Sequence, residues 1–221
     1  MPLLFLSDTA DLSTTLRDRV ADELANRGGR IAYISSAPQD ADRGFFHGAR
    51  REYASILPSV ELSYFDLSPS FTDEDLARIL DFQIVHLSGG NTYAFLEASR
   101  ERELKTILER HRERGGLIIG VSAGAILMTP DIGTSAFCGD RNMSSLRDTT
   151  GFNFVEFLFL PHLGTHFLPT TANLHALNQY AARLQREVYV SEDSDGIFID
   201  DAGRMTVYGK PLIVPSACAK A

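Results

Sequence analysis

Short apolar runs alternate along the first 128 residues with segments whose apolar positions recur at helical spacing. Leu16, Val20 and Leu24, for example, fall on one helical face that ends at two glycines, a common helix C-terminus. Five apolar runs of strand length separate the helical segments, at residues 2–7, 30–37, 60–67, 83–90 and 117–122. This alternation predicts an α/β fold, a doubly wound and mostly parallel sheet with helices on both faces.

The pattern changes after Met128. Residues 129–153 are polar and rich in turn-forming residues, which indicates an ordered loop beside a site. A further strand at 154–162 and a further helix follow, and the segments Gly196–Asp200 and Arg204–Tyr208 predict a C-terminal β-hairpin. Because the chain shows no repeat, low-complexity tract or linker, we expect one domain over residues 1–221.

Composition and charge argue against several classes of function. The formal net charge of −8 repels phosphate backbones and argues against a nucleic-acid partner. No apolar run is long enough to cross a bilayer, the N-terminus lacks a basic signal-peptide region, and the two cysteines, Cys138 and Cys218, indicate neither a disulfide framework nor a thiolate metal site. We therefore expect a cytoplasmic protein with no membrane association.

One serine stands between two apolar runs, in the segment GLIIGVSAGAILM. Residues Gly120–Gly124 match G-x-S-x-G, with a predicted strand before Ser122 and a predicted helix after it. A nucleophile at such a turn adopts a strained backbone, so the residues two positions away must be small. The alternative is a tight strand–helix junction without chemistry, and the strand–turn–helix context favours the nucleophile.

We expect the general base and the oxyanion donors that act with this serine to lie at the same edge of the sheet, where the strands end. Two glycines follow the fourth strand, and the Gly90 N–H is a candidate oxyanion donor together with the Ala123 N–H. Among six histidines, His162 follows a predicted strand and is preferred over His166. His111 is expected on a solvated helix face. The pair His162 and His166 does not suit a helical metal site, because glycine and proline surround it.

Three segments, SGGNTYAFL, IIGVSAGAILMTPDI and LPHLGTHF, resemble in order and spacing the dipeptidase E (aspartyl dipeptidase) and cyanophycinase family of serine peptidases. The resemblance implies a fold similar to class I glutamine amidotransferases. It makes Ser122 the nucleophile, His162 the general base, and Gly90 with Ala123 the oxyanion donors. Neither a metal nor an organic cofactor is implied, and Asn91 and Thr92 become candidate substrate-binding residues.

The acid that orients the histidine is the least defined part of this site. The family places an acid in the loop after the nucleophile helix, where Asp131 and Asp140 are candidates and Asp140 is preferred. Some relatives use an acid near the C-terminal hairpin, which corresponds to Glu192 or Asp193. A buried carboxylate facing the imidazole would fix its tautomer.

The basis for aspartyl specificity is absent from the sequence. Aspartyl dipeptidases carry an arginine downstream of the histidine, and this chain has Ala176 at that spacing, with Arg183 the next arginine. Arg141 or Arg147 in the long loop would be substitutes. Strict preference for Asp-X peptides is therefore not expected.

The sequence thus predicts a serine peptidase that hydrolyses short, dipeptide-like substrates. Four alternatives remain: an α/β-hydrolase esterase, whose histidine comes later in the chain; a glutamine amidotransferase, which would need cysteine at position 122; a cyanophycinase-like hydrolase of acidic peptides; and a catalytically silent binding or sensor protein on the same fold. A homodimer is left open.

Overall fold

The computed structural model describes residues 2–36, 42–143 and 145–216. The elements follow in the order β1 (Leu3–Leu6), α1 (Thr14–Asn26), β2 (Arg30–Ile34), α2 (Gly44–Ile56), β3 (Glu61–Phe65), α3 (Asp73–Ala77), β4 (Ile84–Leu87), α4 (Thr92–Glu101), α5 (Leu104–Glu113), β5 (Leu117–Val121), α6 (Ala123–Leu127), β6 (Leu158–Leu160), α7 (Thr171–Leu184), β7 (Val188–Val190), β8 (Gly196–Ile199), β9 (Met205–Tyr208) and β10 (Leu212–Val214). Short 3-10 helices cover Arg78–Asp81 and Gly133–Cys138.

Seven strands form the main sheet in the order β3-β2-β4-β5-β1-β8-β9. The first five in this order are parallel, and β8 and β9 add an antiparallel hairpin. Strands β1, β4 and β5 are buried on both faces, which explains why their sequences are continuous apolar runs rather than alternating ones. The predicted fold class and hairpin are confirmed.

Helices cover both faces of this sheet. One apolar cluster joins α1 and α2 to the first face, through residues such as Leu16, Val20 and Tyr53. A second cluster joins α4, α5 and α6 to the other face, through residues such as Phe95 and Leu108. Within the described ranges, no helix combines the length and apolar character needed to cross a membrane.

A second, three-stranded sheet with the order β10-β7-β6 was not predicted. Its strands have three residues each, and β6 is shorter than the run at 154–162 suggested. Strands β6 and β7 are parallel, with Leu160 opposite Val190. Helix α7 packs on this sheet through Leu177 and Ala181. The chain therefore brings two sets of strand ends, those of β1, β4 and β5 and those of β6 and β7, to one region.

Candidate active site

Ser122 follows β5 directly and has an unusual backbone for a residue with a side chain, with φ 49° and ψ −109°. Glycines two positions away make this turn possible. A Cβ on Gly120 would lie 2.7 Å from the backbone nitrogen of Ala125, and a Cβ on Gly124 would collide with the Leu87 carbonyl oxygen on β4. The small residues of the GVSAG segment therefore permit a sharp turn that raises the serine hydroxyl above the sheet edge.

His162 faces this hydroxyl. Its Nε2 lies 2.9 Å from Ser122 Oγ. His162 follows β6 in a left-handed backbone conformation with φ 65°, and its carbonyl oxygen accepts hydrogen bonds from the N–H groups of Thr165, His166 and Phe167. This tight turn fixes the direction of the imidazole. His166, the alternative, is exposed and packs beside the His162 ring at a centroid distance of 4.9 Å.

Asp193 completes the chain of contacts. Its Oδ1 lies 2.6 Å from His162 Nδ1, and the side chains of His162 and Asp193 are 16% and 25% exposed. The reason lies in the topology: β6 and β7 are adjacent parallel strands, so the residues after their carboxyl ends meet. A proton on Nδ1 that bonds to Asp193 leaves Nε2 as the acceptor for the Ser122 hydroxyl.

Ser7 touches both of these residues and was not singled out from the sequence. Its side chain is buried at the end of β1. Ser7 Oγ accepts a hydrogen bond from the His162 backbone N–H at 2.7 Å and donates toward Asp193 Oδ1 at 3.1 Å, with the Ser191 carbonyl oxygen at 3.4 Å. One hydroxyl thus contacts the histidine backbone and the acid side chain.

The other candidate acids do not contact the imidazole. Asp140, the preferred one, accepts the Thr92 N–H on Oδ2 at 2.8 Å and so ties the long loop to α4. Glu192 is exposed. Asp131 holds its own loop, accepting from the Gly133 N–H, the Tyr180 hydroxyl and the Thr149 hydroxyl. The preference for Asp140 does not match this geometry, because the Asp140 carboxylate faces α4 and not the imidazole. Glu192 follows the same strand as Asp193, but its side chain is exposed, and Asp193 is the candidate whose carboxylate contacts His162.

The predicted oxyanion donors, Gly90 and Ala123, follow two adjacent strands, as that prediction required. Strands β4 and β5 pair, and the Gly124 N–H donates to the Ser88 carbonyl at 3.0 Å, which holds the two turns together. Gly90 has φ 125°, and a Cβ there would collide with Ser36 Oγ. Glycine is therefore needed at this strand end.

The two candidate substrate-binding residues, Asn91 and Thr92, differ in whether they reach the space above Ser122. The Asn91 side chain accepts the Ala94 N–H at 3.0 Å as the N-cap of α4, and its Nδ2 donates to the Arg141 carbonyl at 3.1 Å. Asn91 does not line the cavity described next, whereas Thr92 does. The Asn91 side chain is therefore engaged in holding the loop.

A cavity of about 460 Å³ opens on Ser122. We call it the Ser122 cavity. It is lined by residues of β2, β4 and β5, of helices α2, α4 and α6, of the turns after β1, β4, β5 and β6, and of the long loop. These residues are Ser7, Asp8, Thr9, Ala10, Tyr33, Gly44, Phe45, Gly48, Ala49, Glu52, His86, Gly89, Gly90, Thr92, Val121, Ser122, Ile126, Cys138, Asp140, His162 and His166. Its size suits a short peptide.

The chain matches the profile of Peptidase family S51 over residues 3–213, nearly its whole length. The chain belongs to Peptidase family S51. It is a serine peptidase, and the resemblance stated from the sequence is confirmed.

Curated relatives agree with membership of this family. An uncharacterized peptidase of Pasteurella multocida (strain Pm70) is 26% identical over 83% of this chain and 87% of its own length. Peptidase E of Salmonella typhimurium (strain LT2) is 30% identical over 62% of this chain. The matched segment spans 60% of that Peptidase E.

Solved structures share the fold. A Listeria monocytogenes EGD-e protein provisionally called peptidase E superposes with a TM-score of 0.75 at 19% identity, covering 96% of this chain and 98% of its own. A peptidase from an acI-B1 Actinobacterium superposes with a TM-score of 0.68 at 12% identity, covering 98% and 94%.

Two further histidines, His86 and His111, are buried and have no hydrogen bond to Ser122 among the described residues. His86 on β4 bonds to the Tyr53 hydroxyl at 2.9 Å, and burial lowers its pKa to about 3. His111 was expected in solvent, but it is buried with Nε2 3.2 Å from the Leu117 carbonyl, and burial lowers its pKa. Within the described residues, no group of three or more His, Cys, Asp and Glu side chains is arranged to hold a metal ion.

Proposed function

We propose that this serine peptidase cleaves short peptides through a triad of Ser122, His162 and Asp193. The observation that carries the proposal is the continuous chain of contacts from Ser122 Oγ to His162 Nε2, 2.9 Å, and from His162 Nδ1 to Asp193 Oδ1, 2.6 Å, at the wall of a cavity of peptide size.

In the proposed reaction, Ser122 Oγ attacks the scissile carbonyl carbon while His162 Nε2 takes the hydroxyl proton. The tetrahedral oxyanion receives hydrogen bonds from the Gly90 and Ala123 N–H groups. His162 then gives its proton to the leaving amine, and an acyl group remains on Ser122. Water, deprotonated by His162, releases the acyl group and restores the serine.

Asp193 supports this cycle electrostatically. Its carboxylate holds the Nδ1 proton, which keeps Nε2 facing Ser122 and stabilises the imidazolium that forms at each proton transfer. The structure favours Asp193 over Asp140 and Glu192 in this role, because only Asp193 contacts the ring among these three. A cytoplasmic location and a homodimer stay predictions from the sequence.

The test is active-site labelling with a neutral fluorophosphonate, which forms a stable bond with an activated serine. We expect labelling of the wild type, none of Ser122→Ala, and a rate reduced by about 10²- to 10⁴-fold in Asp193→Asn, because the wrong tautomer is favoured. Mass spectrometry of the labelled peptide identifies the site.

Asp140→Asn and Glu192→Gln are the matched controls, since each removes one carboxylate charge near the site and leaves the triad complete. Both should label at close to the wild-type rate. Labelling that survives Ser122→Ala would refute the nucleophile assignment, and an Asp140→Asn defect larger than that of Asp193→Asn would refute the acid assignment.

A further inference from the structure

The charged groups that line the Ser122 cavity are acidic. Three carboxylates, those of Asp8, Glu52 and Asp140, line it in addition to Ser122 and His162, and no lysine or arginine occurs among the described lining residues. A pocket for an acidic side chain would need the opposite charge. The charges of the lining residues therefore argue against a preference for Asp-X peptides.

None of these carboxylates is neutralised by a lysine or arginine of the described chain. Asp8 uses Oδ1 to accept the N–H groups of Thr9 and Ala10, at 2.5 and 2.9 Å, and Asp140 uses Oδ2 to accept the Thr92 N–H. Among the described residues, Asp8 Oδ2, Asp140 Oδ1 and the Glu52 carboxylate have no hydrogen-bond or ion-pair partner. Each is half-buried. Free carboxylate oxygens in a concave wall concentrate a negative field on the cavity.

Neighbouring groups do not cancel this field. His86 is neutral at physiological pH, because burial lowers its pKa to about 3. Arg43, beside the cavity residue Gly44, stacks on Tyr64 at 4.0 Å and does not line the cavity. Burial raises the pKa of the Cys138 thiol to about 12, and the nearby charges of Asp140 and Asp193 act in the same direction.

The wall between the carboxylates is apolar and aromatic. Tyr33, Phe45 and Val121 line the cavity, and Phe45 is exposed at 59%. A flexible methylene stem packs on such a surface while its cationic end reaches a carboxylate, as lysine and arginine side chains do. Thr92 also lines the cavity; its residue is only 1% exposed, and its buried hydroxyl has no hydrogen-bond partner among the described residues.

We propose that the Ser122 cavity selects peptides that carry a cationic group, an ammonium or a guanidinium, on the residue whose carbonyl Ser122 attacks, and that Asp8, Glu52 and Asp140 bind this cation. The inference rests on the proposed function and names its substrate class. The cation has two sources, the free α-ammonium of a peptide and a basic side chain, and both present the same chemistry to the carboxylates.

The test measures kcat/KM for Lys-Ala, Arg-Ala, Leu-Ala and Asp-Ala, together with Nα-acetyl-Lys-Ala and Nα-acetyl-Leu-Ala. Asp-Ala should be the poorest of the four free dipeptides, by about tenfold or more relative to Leu-Ala, because its side chain adds a negative charge to an acidic cavity. If the side chain is the bound cation, Lys-Ala exceeds Leu-Ala and acetyl-Lys-Ala is still cleaved. If the α-ammonium is bound, Lys-Ala and Leu-Ala are similar and acetylation abolishes both.

Variants that remove one carboxylate charge each test which residues cause the preference for cationic peptides. Glu52→Gln, Asp8→Asn and Asp140→Asn should each raise KM for the preferred cationic peptide and narrow its advantage over Asp-Ala. Asp18→Asn, which removes an exposed carboxylate on α1 outside the cavity, is the matched control and should change neither.

Fluorophosphonate labelling of Ser122 is measured in parallel on every variant. Labelling without any preference for cationic over acidic peptides would overturn this proposal and leave the proposed function standing. A preference for Asp-Ala would also overturn it, and so would a cationic preference that all three variants leave unchanged. Absence of labelling in the wild type would instead overturn the proposed function.

Discussion

Single atoms at the site determine how the histidine is held. Ser7 Oγ lies 2.7 Å from the His162 backbone nitrogen and 3.1 Å from Asp193 Oδ1, so one buried hydroxyl contacts two members of the proposed triad. Ser7 lines the Ser122 cavity, but its hydrogen bonds among the described residues go to His162, Asp193 and the Ser191 carbonyl oxygen and not to Ser122, so we assign it a positioning role. It acts through His162 and Asp193.

Replacement of Ser7 by alanine should lower kcat by about ten- to a hundredfold, because small displacements of a catalytic group have effects of that size. KM should change little, since the substrate contacts stay in place. Ser7→Thr keeps the hydroxyl and should restore most of kcat. Steady-state kinetics of both variants check this, with thermal unfolding as the control for folding. A Ser7→Ala variant with wild-type kcat would contradict the positioning role.

The sequence singles out one serine and one histidine, but it leaves the acid open among four candidates. Ser122 lies in a motif, and His162 follows a long apolar run, so both could be placed at strand ends. Asp193 follows only three strand residues, Val188–Val190, and Glu192 beside it was as good a candidate. Adjacent residues of one loop differ in side-chain direction, which local sequence does not reveal. The available signal was the short apolar run Val188–Val190, which indicates a strand that ends just before Glu192 and Asp193.

At the scale of elements, the contact between α6 and β4 determines whether the serine turn forms. Gly124 lies in the first turn of α6 where a Cβ would collide with the Leu87 backbone. The sequence explained the need for small residues here by the strain at the serine. The structure adds a second reason, because the helix passes directly over the neighbouring strand.

Gly124→Ala should therefore lower the free energy of unfolding by about 1–3 kcal/mol, as overpacked substitutions do, and should slow labelling of Ser122. The free energy is measured by urea denaturation. Gly48→Ala is the matched control: Gly48 lies within α2, and a Cβ there meets nothing within 4 Å. That variant should be as stable as the wild type or more so, because alanine favours a helix. Equal stability of the two variants would contradict the steric argument.

Most elements were predictable because their patterns are long. The five parallel strands, the helices between them and the β8–β9 hairpin agree with the structure. The second sheet was missed because three-residue strands carry no measurable periodicity, and their pairing joins residues that are far apart in the chain, such as Leu212 and Val190. Non-local pairing is decided by the whole fold.

For the whole molecule, buried neutral histidines make stability depend on pH. Burial lowers the pKa of His86 from 6.5 to about 3, and that of His111 in the same direction. Between these values the unfolded chain binds a proton that the folded chain excludes, so stability rises with pH up to 6.5 and is lost as the pH falls below it. The contribution of His86 is at most roughly 1.4 kcal/mol per pH unit.

Removal of His86 should flatten this dependence. We expect the double variant His86→Phe with Tyr53→Phe, which leaves neither partner of that hydrogen bond unpaired, to lose less unfolding free energy than the wild type between pH 6.5 and pH 5. Urea denaturation at several pH values gives the slopes. The same slope in both proteins would show that His86 is not a source of the pH dependence.

The two sheets divide the proposed triad between them. Ser122 follows β5 of the seven-stranded sheet, whereas His162 and Asp193 follow β6 and β7 of the three-stranded sheet, and Ser7 on β1 is a tie across the boundary. Hydrolysis by this proposed triad therefore requires the two sheets to be packed together. Any opening of the interface between the two sheets should therefore separate Ser122 from His162 and abolish hydrolysis, so a partly unfolded copy of the protein should be inactive.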